Sequence, residues 1–369
     1  MKKILLYAYG EFNLGDDLFI KVLLERYPDT QFIFYAHKEY KQALKHYKNI
    51  KVISKDSFII NMFRGIIPNI HDKKINKIEK NVDAMVYIGG SIFIEYPNWK
   101  ENIDWYKNKS KKFPIFIIGA NFGPYTQNGY VKGFKEIYPM LTDVCFRDKY
   151  SYDLFKECST VRMAPDVIFS MQDNMKELSN KQIFISVIDC ESRNKNNIPL
   201  DLMDKYDSDY ILKLSEVVER FIDDNYNIVL SSFCESENDL KCIEKICNKV
   251  NEEKRKNVKI LSYTGYNLNE ILESINESEY IISSRFHASI LGFVYNKPVF
   301  PIVYSSKTEN MLKDLDFKGN YIKVSEIDTI DYKYIRRNLD EKIILDISKV
   351  RIEAEKQFLG LDKFLNKTN

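Results

Sequence analysis

Short apolar runs alternate with helix-length polar stretches along most of this chain. The first set lies at Lys3 to Tyr9, Gln31 to Ala36, Asp83 to Ile88, Phe113 to Ile118 and Asp143 to Phe146. A strand buried on both faces reads as continuously apolar, so these runs predict a mostly parallel sheet covered by helices on both sides. The rhythm stops at Gln172 to Lys181, a polar stretch nearly devoid of branched apolar residues. It resumes at Ile183 to Ile188, Ile228 to Ser232, Val258 to Leu261, Tyr280 to Ser283 and Val299 to Val303. We therefore expect two α/β domains in tandem, residues 1–175 and 176–340, with a cleft between the carboxyl ends of their sheets. Beyond them, Ile343, Ile347, Val350, Ala354, Phe358, Leu361 and Leu365 recur at spacings of three and four. That spacing predicts an amphipathic helix over 341–369 packed across both domains.

Composition narrows the class. At 369 residues, with 44% hydrophobic and 29% charged residues, the chain is a folded protein of about two domains. Lys and Arg total 55 against 53 Asp and Glu, so the net charge of +2 gives no global attraction to nucleic acid or membrane, and an anion site must be local. Six cysteines (Cys145, Cys158, Cys190, Cys234, Cys242 and Cys247) are scattered without a Cys-x-x-Cys pair, and only four histidines accompany them. They read as reduced thiols of a cytoplasmic protein, and no zinc site is expected. The apolar start ends by Tyr9-Gly10-Glu11, too short for a signal peptide, and no run approaches the roughly 20 apolar residues of a spanning helix. Phe58 to Pro68, followed by the basic stretch His71 to Lys77, is apolar enough to lean on an anionic membrane surface, or to be core or an oligomer contact.

Candidate chemistry sits where the predicted strands end. Ile281 to Ser284 runs straight into Arg285-Phe286-His287 and an apolar helical run. Arg offers a planar fork of donors and His exchanges a proton near neutral pH, a pair suited to a phosphate or carboxylate ligand undergoing reaction. The competing reading is a surface ion pair and a half-buried structural His. One strand onward, Tyr304-Ser305-Ser306-Lys307 ends another strand in hydroxyls and a cation that can converge on the same dianion, or simply be solvated. The first strand turns through Asn13-Leu14-Gly15-Asp16-Asp17, where Asp16 or Asp17 can cap a helix or receive sugar hydroxyls with one carboxylate as general base. Gly89-Gly90-Ser91 and Gly119 to Pro124 with Asn121 are glycine turns that let a ligand approach backbone amides. Arg147-Asp148 with Ser151, and Pro165-Asp166, read as buried charge pairs near the domain junction.

In this order the motifs Asn13-x-Gly15-Asp16-Asp17, Gly89-Gly90, Gly119 to Pro124, Arg147-Asp148-x-x-Ser151, Pro165-Asp166, Ser284-Arg285-Phe286-His287 and Tyr304-x-x-Lys307 resemble the polysaccharide pyruvyl transferase family. The resemblance implies two Rossmann-like domains of the GT-B type and transfer of pyruvate from phosphoenolpyruvate to a sugar as a cyclic ketal, with phosphate released. It departs from the family pattern at Ser91, where a third Gly is frequent, and at Ile183 to Asp189, which lacks an Arg after the Ser that Arg193 could replace.

On this reading Arg285 holds the donor's carboxylate or phosphate and Lys307 adds charge. His287 protonates the methylene carbon or stabilises departing phosphate, and Asp16 is the base. Asn13, Asp17, Gly89, Gly90, Ser91, Asn121, Ser284 and Tyr304 line the substrates. No metal or organic cofactor is required. The expected partners are phosphoenolpyruvate and a saccharide acceptor, with a lipid-linked acceptor and peripheral contact at the inner face of the cell membrane both admitted. Nucleic acid is not a partner. A GT-B glycosyltransferase using a nucleotide sugar and a non-catalytic scaffold of glycan assembly are the alternatives.

Overall fold

The computed structural model describes residues 1–55, 70–172, 178–191 and 200–366. The apolar segment 58–68, residues 173–177 of the expected interdomain break, and Arg193 lie outside the described residues. Two compact units emerge, one comprising residues 1–11, 16–171 and 349–369, the other 12–15 and 172–348.

The first unit is built on β1 (Lys3–Tyr7), β2 (Gln31–Ala36), β3 (Ile50–Ser54), β4 (Ala84–Ile88), β5 (Ile115–Ala120), β6 (Asp143–Phe146) and β7 (Val161–Met163). Every pair is parallel and the spatial order is β3-β2-β1-β4-β5-β6-β7. The interior strand β5, Ile-Phe-Ile-Ile-Gly-Ala, is buried at every position, which is why its sequence is unbroken by polar residues. On one face lies an apolar layer including Leu5, Met85, Ile117, Phe134, Phe146 and Phe155.

The second unit repeats the scheme with β8 (Asn180–Ser186), β9 (Asn227–Ser232), β10 (Val258–Ser262), β11 (Ser278–Ser283), β12 (Val299–Val303) and the two-residue β13 (Ile322–Lys323), ordered β10-β9-β8-β11-β12-β13. The expected α/β class, two parallel Rossmann-like sheets with helices, is what the chain adopts. In each sheet the order reverses between two neighbouring strands, β1 with β4 and β8 with β11. The carboxyl ends of strands at such a reversal are where ligands bind in doubly wound folds.

Two expectations are corrected. Neither Asp16 nor Asp17 caps the first helix, which runs Leu14–Arg26. Asn13 does, its side-chain oxygen accepting the Gly15 amide at 3.1 Å. The helix starts early because Leu14 is fully buried and its amide donates to Phe233 O at 3.0 Å.

The tail is not one continuous helix. It is a helix Ser348–Ala354, a 3₁₀ turn Glu355–Phe358 and a helix Leu359–Leu365, grouped from Lys349 with the first unit. The break follows from polar anchors. Gln357, fully buried, accepts the Gly119 amide at 2.9 Å and donates to Ala164 O at 2.7 Å and Pro165 O at 2.9 Å. Asp362 accepts from Tyr27 Oη at 2.8 Å and Arg26 Nη2 at 2.7 Å. Among the described residues no helix is long and apolar enough to cross a membrane.

Candidate active site

In the second unit the sheet reversal brings the tip of β8 against the tip of β11. Ser186 Oγ accepts the amides of Ser284 and Arg285, each at 3.1 Å, fixing the backbone that turns into the helix Phe286–Val294. Ser284 points its hydroxyl into the core, where it accepts from Tyr210 Oη at 2.7 Å. That bond and its burial give Ser284 a structural task where a substrate contact was expected.

Arg285 is also differently placed from expectation. Its guanidinium is almost wholly buried, with Nε donating to Asp239 Oδ2 at 2.7 Å, Nη2 pairing with the same oxygen and Nη1 pairing with Glu237. Burial works against the charge, but Asp239 and Glu237 more than offset it and hold the group protonated beyond its ordinary value. The fork expected to grip a substrate dianion is committed to two carboxylates of its own chain. Asp239 opens the helix Asp239–Lys249 and is fully buried, so removing either partner strands a charge.

His287, half-buried, packs directly against Gly15. A Cβ built on Gly15 would fall 1.6 Å from His287 Nδ1 and 2.4 Å from its Cγ, so only glycine admits the ring there. Residues 12–15 are held to this unit by the Leu14 amide, by a bridge between Asn13 and Cys234, and by the Phe12 ring, which packs 5.8 Å from Tyr266.

Lys307 Nζ lies 5.8 Å from the Phe286 ring and 5.9 Å from the Tyr304 ring, and among the described residues it forms no ion pair. It stands in the first turn of the helix Ser306–Asp314, whose N-cap Ser305 makes no capping bond. Ser305 Oγ and Thr308 Oγ1 are both buried without a hydrogen-bond partner among the described residues. Ser305, Lys307 and Thr308 thus stand within four residues at one helix start, beside Glu309 in the same turn, and a helix start favours anions.

The first unit carries the other expected residues. Asp16, half-buried, brings Oδ1 to 3.4 Å from where a Cβ on Gly89 would stand, at the tip of β4. Asp17 is buried and accepts from Tyr40 Oη at 2.7 Å. Ser91 is exposed. Gly90 backs onto Arg147, whose guanidinium would sit 2.3 Å from any Cβ there. Arg147 donates to Asp166 at 2.8 Å and to Asn121 Oδ1 at 2.8 Å, so the Asn121 carboxamide oxygen is engaged within the fold. Burial raises the Asp166 carboxyl above its ordinary value, with Arg147 pulling it back. Asp148 caps the helix Lys149–Phe155 through the Ser151 amide at 2.8 Å. This is the buried charge network the sequence suggested.

Asp239, Glu237, Ser186 and Thr308 are not singled out by the sequence. The hydroxyl-rich turn before Lys307 is the signal that brings in Ser305. Nothing local marks Asp239, 46 residues before its partner.

Two doubly wound parallel sheets with strand-tip polar clusters define an α/β protein of the GT-B type. The fold is shared, at low identity, with MnaA of S. aureus solved with UDP (TM-score 0.60, 14% identity, 100% of this chain and 98% of that one). It is shared also with Anabaena HepE in complex with UDP and glucose (TM-score 0.58, 10% identity, 100% of both chains). A third is the UDP-GlcNAc 2-epimerase of Methanocaldococcus jannaschii (TM-score 0.56, 14% identity, 100% of both chains). The profile of the polysaccharide pyruvyl transferase family matches residues 13–306, and the chain belongs to that family.

Proposed function

We propose that the protein transfers pyruvate from phosphoenolpyruvate to two hydroxyls of a saccharide, as a ketal, releasing phosphate. The observation that carries the donor assignment is the helix start at Ser305, Lys307 and Thr308, where among the described residues the cation forms no ion pair and the two buried hydroxyls have no hydrogen-bond partner. A phosphate or carboxylate group supplies the missing acceptors and is favoured by the helix start. Arg285 then serves as a positioning residue, holding the turn that presents His287.

His287 delivers a proton to the methylene carbon, which leaves the adjacent carbon electrophilic. The first acceptor hydroxyl adds there and its proton passes to a base, for which Asp16, next in the chain after Gly15, is our candidate. The second hydroxyl then displaces phosphate, with loss of its own proton.

The test is release of inorganic phosphate from phosphoenolpyruvate that depends on an added glycan acceptor, with a ketal product seen by mass spectrometry. UDP in the solved relatives favours one alternative, a nucleotide-sugar glycosyltransferase. Sugar transfer from a UDP-sugar with phosphoenolpyruvate omitted would establish that alternative and remove ours.

A further inference from the structure

Three loops of the first unit, following β4, β5 and β6, are fastened to one another. Asn121 N donates to Gly90 O at 2.7 Å, Gly123 N to Phe93 O at 2.7 Å and Glu95 N to Pro124 O at 3.1 Å. Glu95 Oε2 also accepts from Thr126 Oγ1 at 3.0 Å and from the amides of Thr126 and Gln127, the latter at 3.1 Å. Burial is the largest single influence and raises this carboxyl, but the donors together outweigh it and hold it below its ordinary value, so Glu95 is an anionic staple. Phe122 N donates to Ser151 Oγ at 2.7 Å and ties in the helix Lys149–Phe155 that follows β6.

These fixed loops leave aromatic rings in solvent. Tyr96 is 53% exposed and Tyr150 is 48% exposed. Tyr150 Oη donates to Tyr125 Oη at 3.3 Å, and the Tyr125 ring rests 5.5 Å from Phe122 and 6.3 Å from Tyr130. Tyr96 follows Glu95, whose amide is tied to the carbonyl of Pro124, the residue before Tyr125, so the backbones that carry Tyr96 and Tyr125 are neighbours. In the stretches 89–98, 121–127 and 147–152 the exposed large apolar side chains are all tyrosines, with Asn98, Gln127 and Lys149 exposed beside them.

A protein-docking patch would add exposed aliphatic side chains. A pyranose instead offers a C–H face to an aromatic ring and a rim of hydroxyls to phenol groups, and tyrosine meets both needs. We propose that Tyr96, Tyr125 and Tyr150 form a saccharide-binding platform in the first unit, with Glu95 as the residue that positions it. This rests on the reading above that the acceptor is a saccharide. Because the loops are already fastened, little ordering accompanies binding.

The experiment is saturation-transfer NMR on the full chain with methyl glycosides of glucose, galactose, mannose, N-acetylglucosamine and N-acetylmannosamine. Transfer to the ring protons of at least one glycoside is expected. It should weaken at least tenfold in affinity in Tyr96→Ala/Tyr150→Ala, whose exposed sites leave thermal unfolding close to wild type, and be largely kept in Tyr150→Phe. No transfer from the wild type, or undiminished transfer from the double alanine variant, would overturn the platform. A parallel thermal-shift series with phosphoenolpyruvate separates the two readings. Glycoside binding through the tyrosines without any phosphoenolpyruvate shift sinks the pyruvyl-transfer reading alone, and a phosphoenolpyruvate shift without glycoside binding sinks the platform alone.

Discussion

Gly15→Ala isolates the packing of His287 from every other feature of the candidate site. The new methyl would stand 1.6 Å from Nδ1, 2.2 Å from Cε1 and 2.4 Å from Cγ of the imidazole. Because Cγ is among the atoms struck, tilting the ring does not relieve the clash, and the side chain must leave its rotamer. Overpacking of this kind costs roughly 1–3 kcal/mol of stability when the neighbour cannot move freely. The catalytic consequence is larger, since misplacing a reacting group by about 1 Å costs on the order of 100-fold.

Phosphate release from phosphoenolpyruvate should therefore fall about 100-fold or more in Gly15→Ala, comparable with the roughly 100- to 10,000-fold loss expected of a removed general acid in His287→Gln. The double variant should lose no more than the worse single one, because both changes abolish the same function. Thermal unfolding supplies an independent arm: in a His287→Ala background the clash is gone, and Gly15→Ala should then cost well under 1 kcal/mol. A Gly15→Ala enzyme with wild-type turnover, or a full 100-fold penalty persisting in the His287→Gln background, would refute the reasoning.

Thr308→Val keeps the shape of a buried side chain while deleting its unpartnered hydroxyl, so the free protein should gain stability by about 1 kcal/mol and the phosphoenolpyruvate-induced thermal shift should shrink. A lost shift with unchanged basal stability would show that the hydroxyl has a partner in the free protein. Lys307→Met should raise the KM for phosphoenolpyruvate, lowering kcat/KM roughly 10- to 150-fold for the loss of one charge-assisted bond of about 1.5–3 kcal/mol, as steady-state kinetics would reveal. Asp239→Asn leaves the buried Arg285 charge short of a partner and should destabilise the second unit by about 3–5 kcal/mol in urea unfolding. Arg285→Lys should lower stability and turnover together while leaving the KM for phosphoenolpyruvate near wild type. A selective rise in that KM would return Arg285 to the donor site.

Most of the fold was legible because parallel strands buried on both faces keep apolar sequences. Gln31–Ala36, Asp143–Phe146 and Val299–Val303 were read to the residue. The strands passed over are those that lack such burial or length. Ile50–Ser54 is only partly buried, Val161–Met163 has three residues and Ile322–Lys323 two. At the site, residue types at strand tips pointed to His287 and Lys307, since local sequence shows where a strand stops. It does not show which distant carboxylate a buried guanidinium will meet, so Arg285 looked available for a ligand when Asp239 and Glu237 hold it. The Asn13 cap was missed for a related reason: the anchor that starts the helix early is Phe233 O, far along the chain.

The docking of residues 349–366 on the first unit bears on how the chain is made. During synthesis a domain ordinarily begins to fold once its own stretch has emerged, the amino-terminal one first. Here Gln357 accepts from the Gly119 amide and donates to the carbonyls of Ala164 and Pro165, and Asp362 accepts from Arg26 and Tyr27. Those bonds cannot form until the whole of the second unit has been translated, so the first unit is expected to complete its packing last. Nascent chains halted before residue 349 should then protect the second unit's strands from proteolysis while the first remains cleavable, inverting the usual order of vectorial folding.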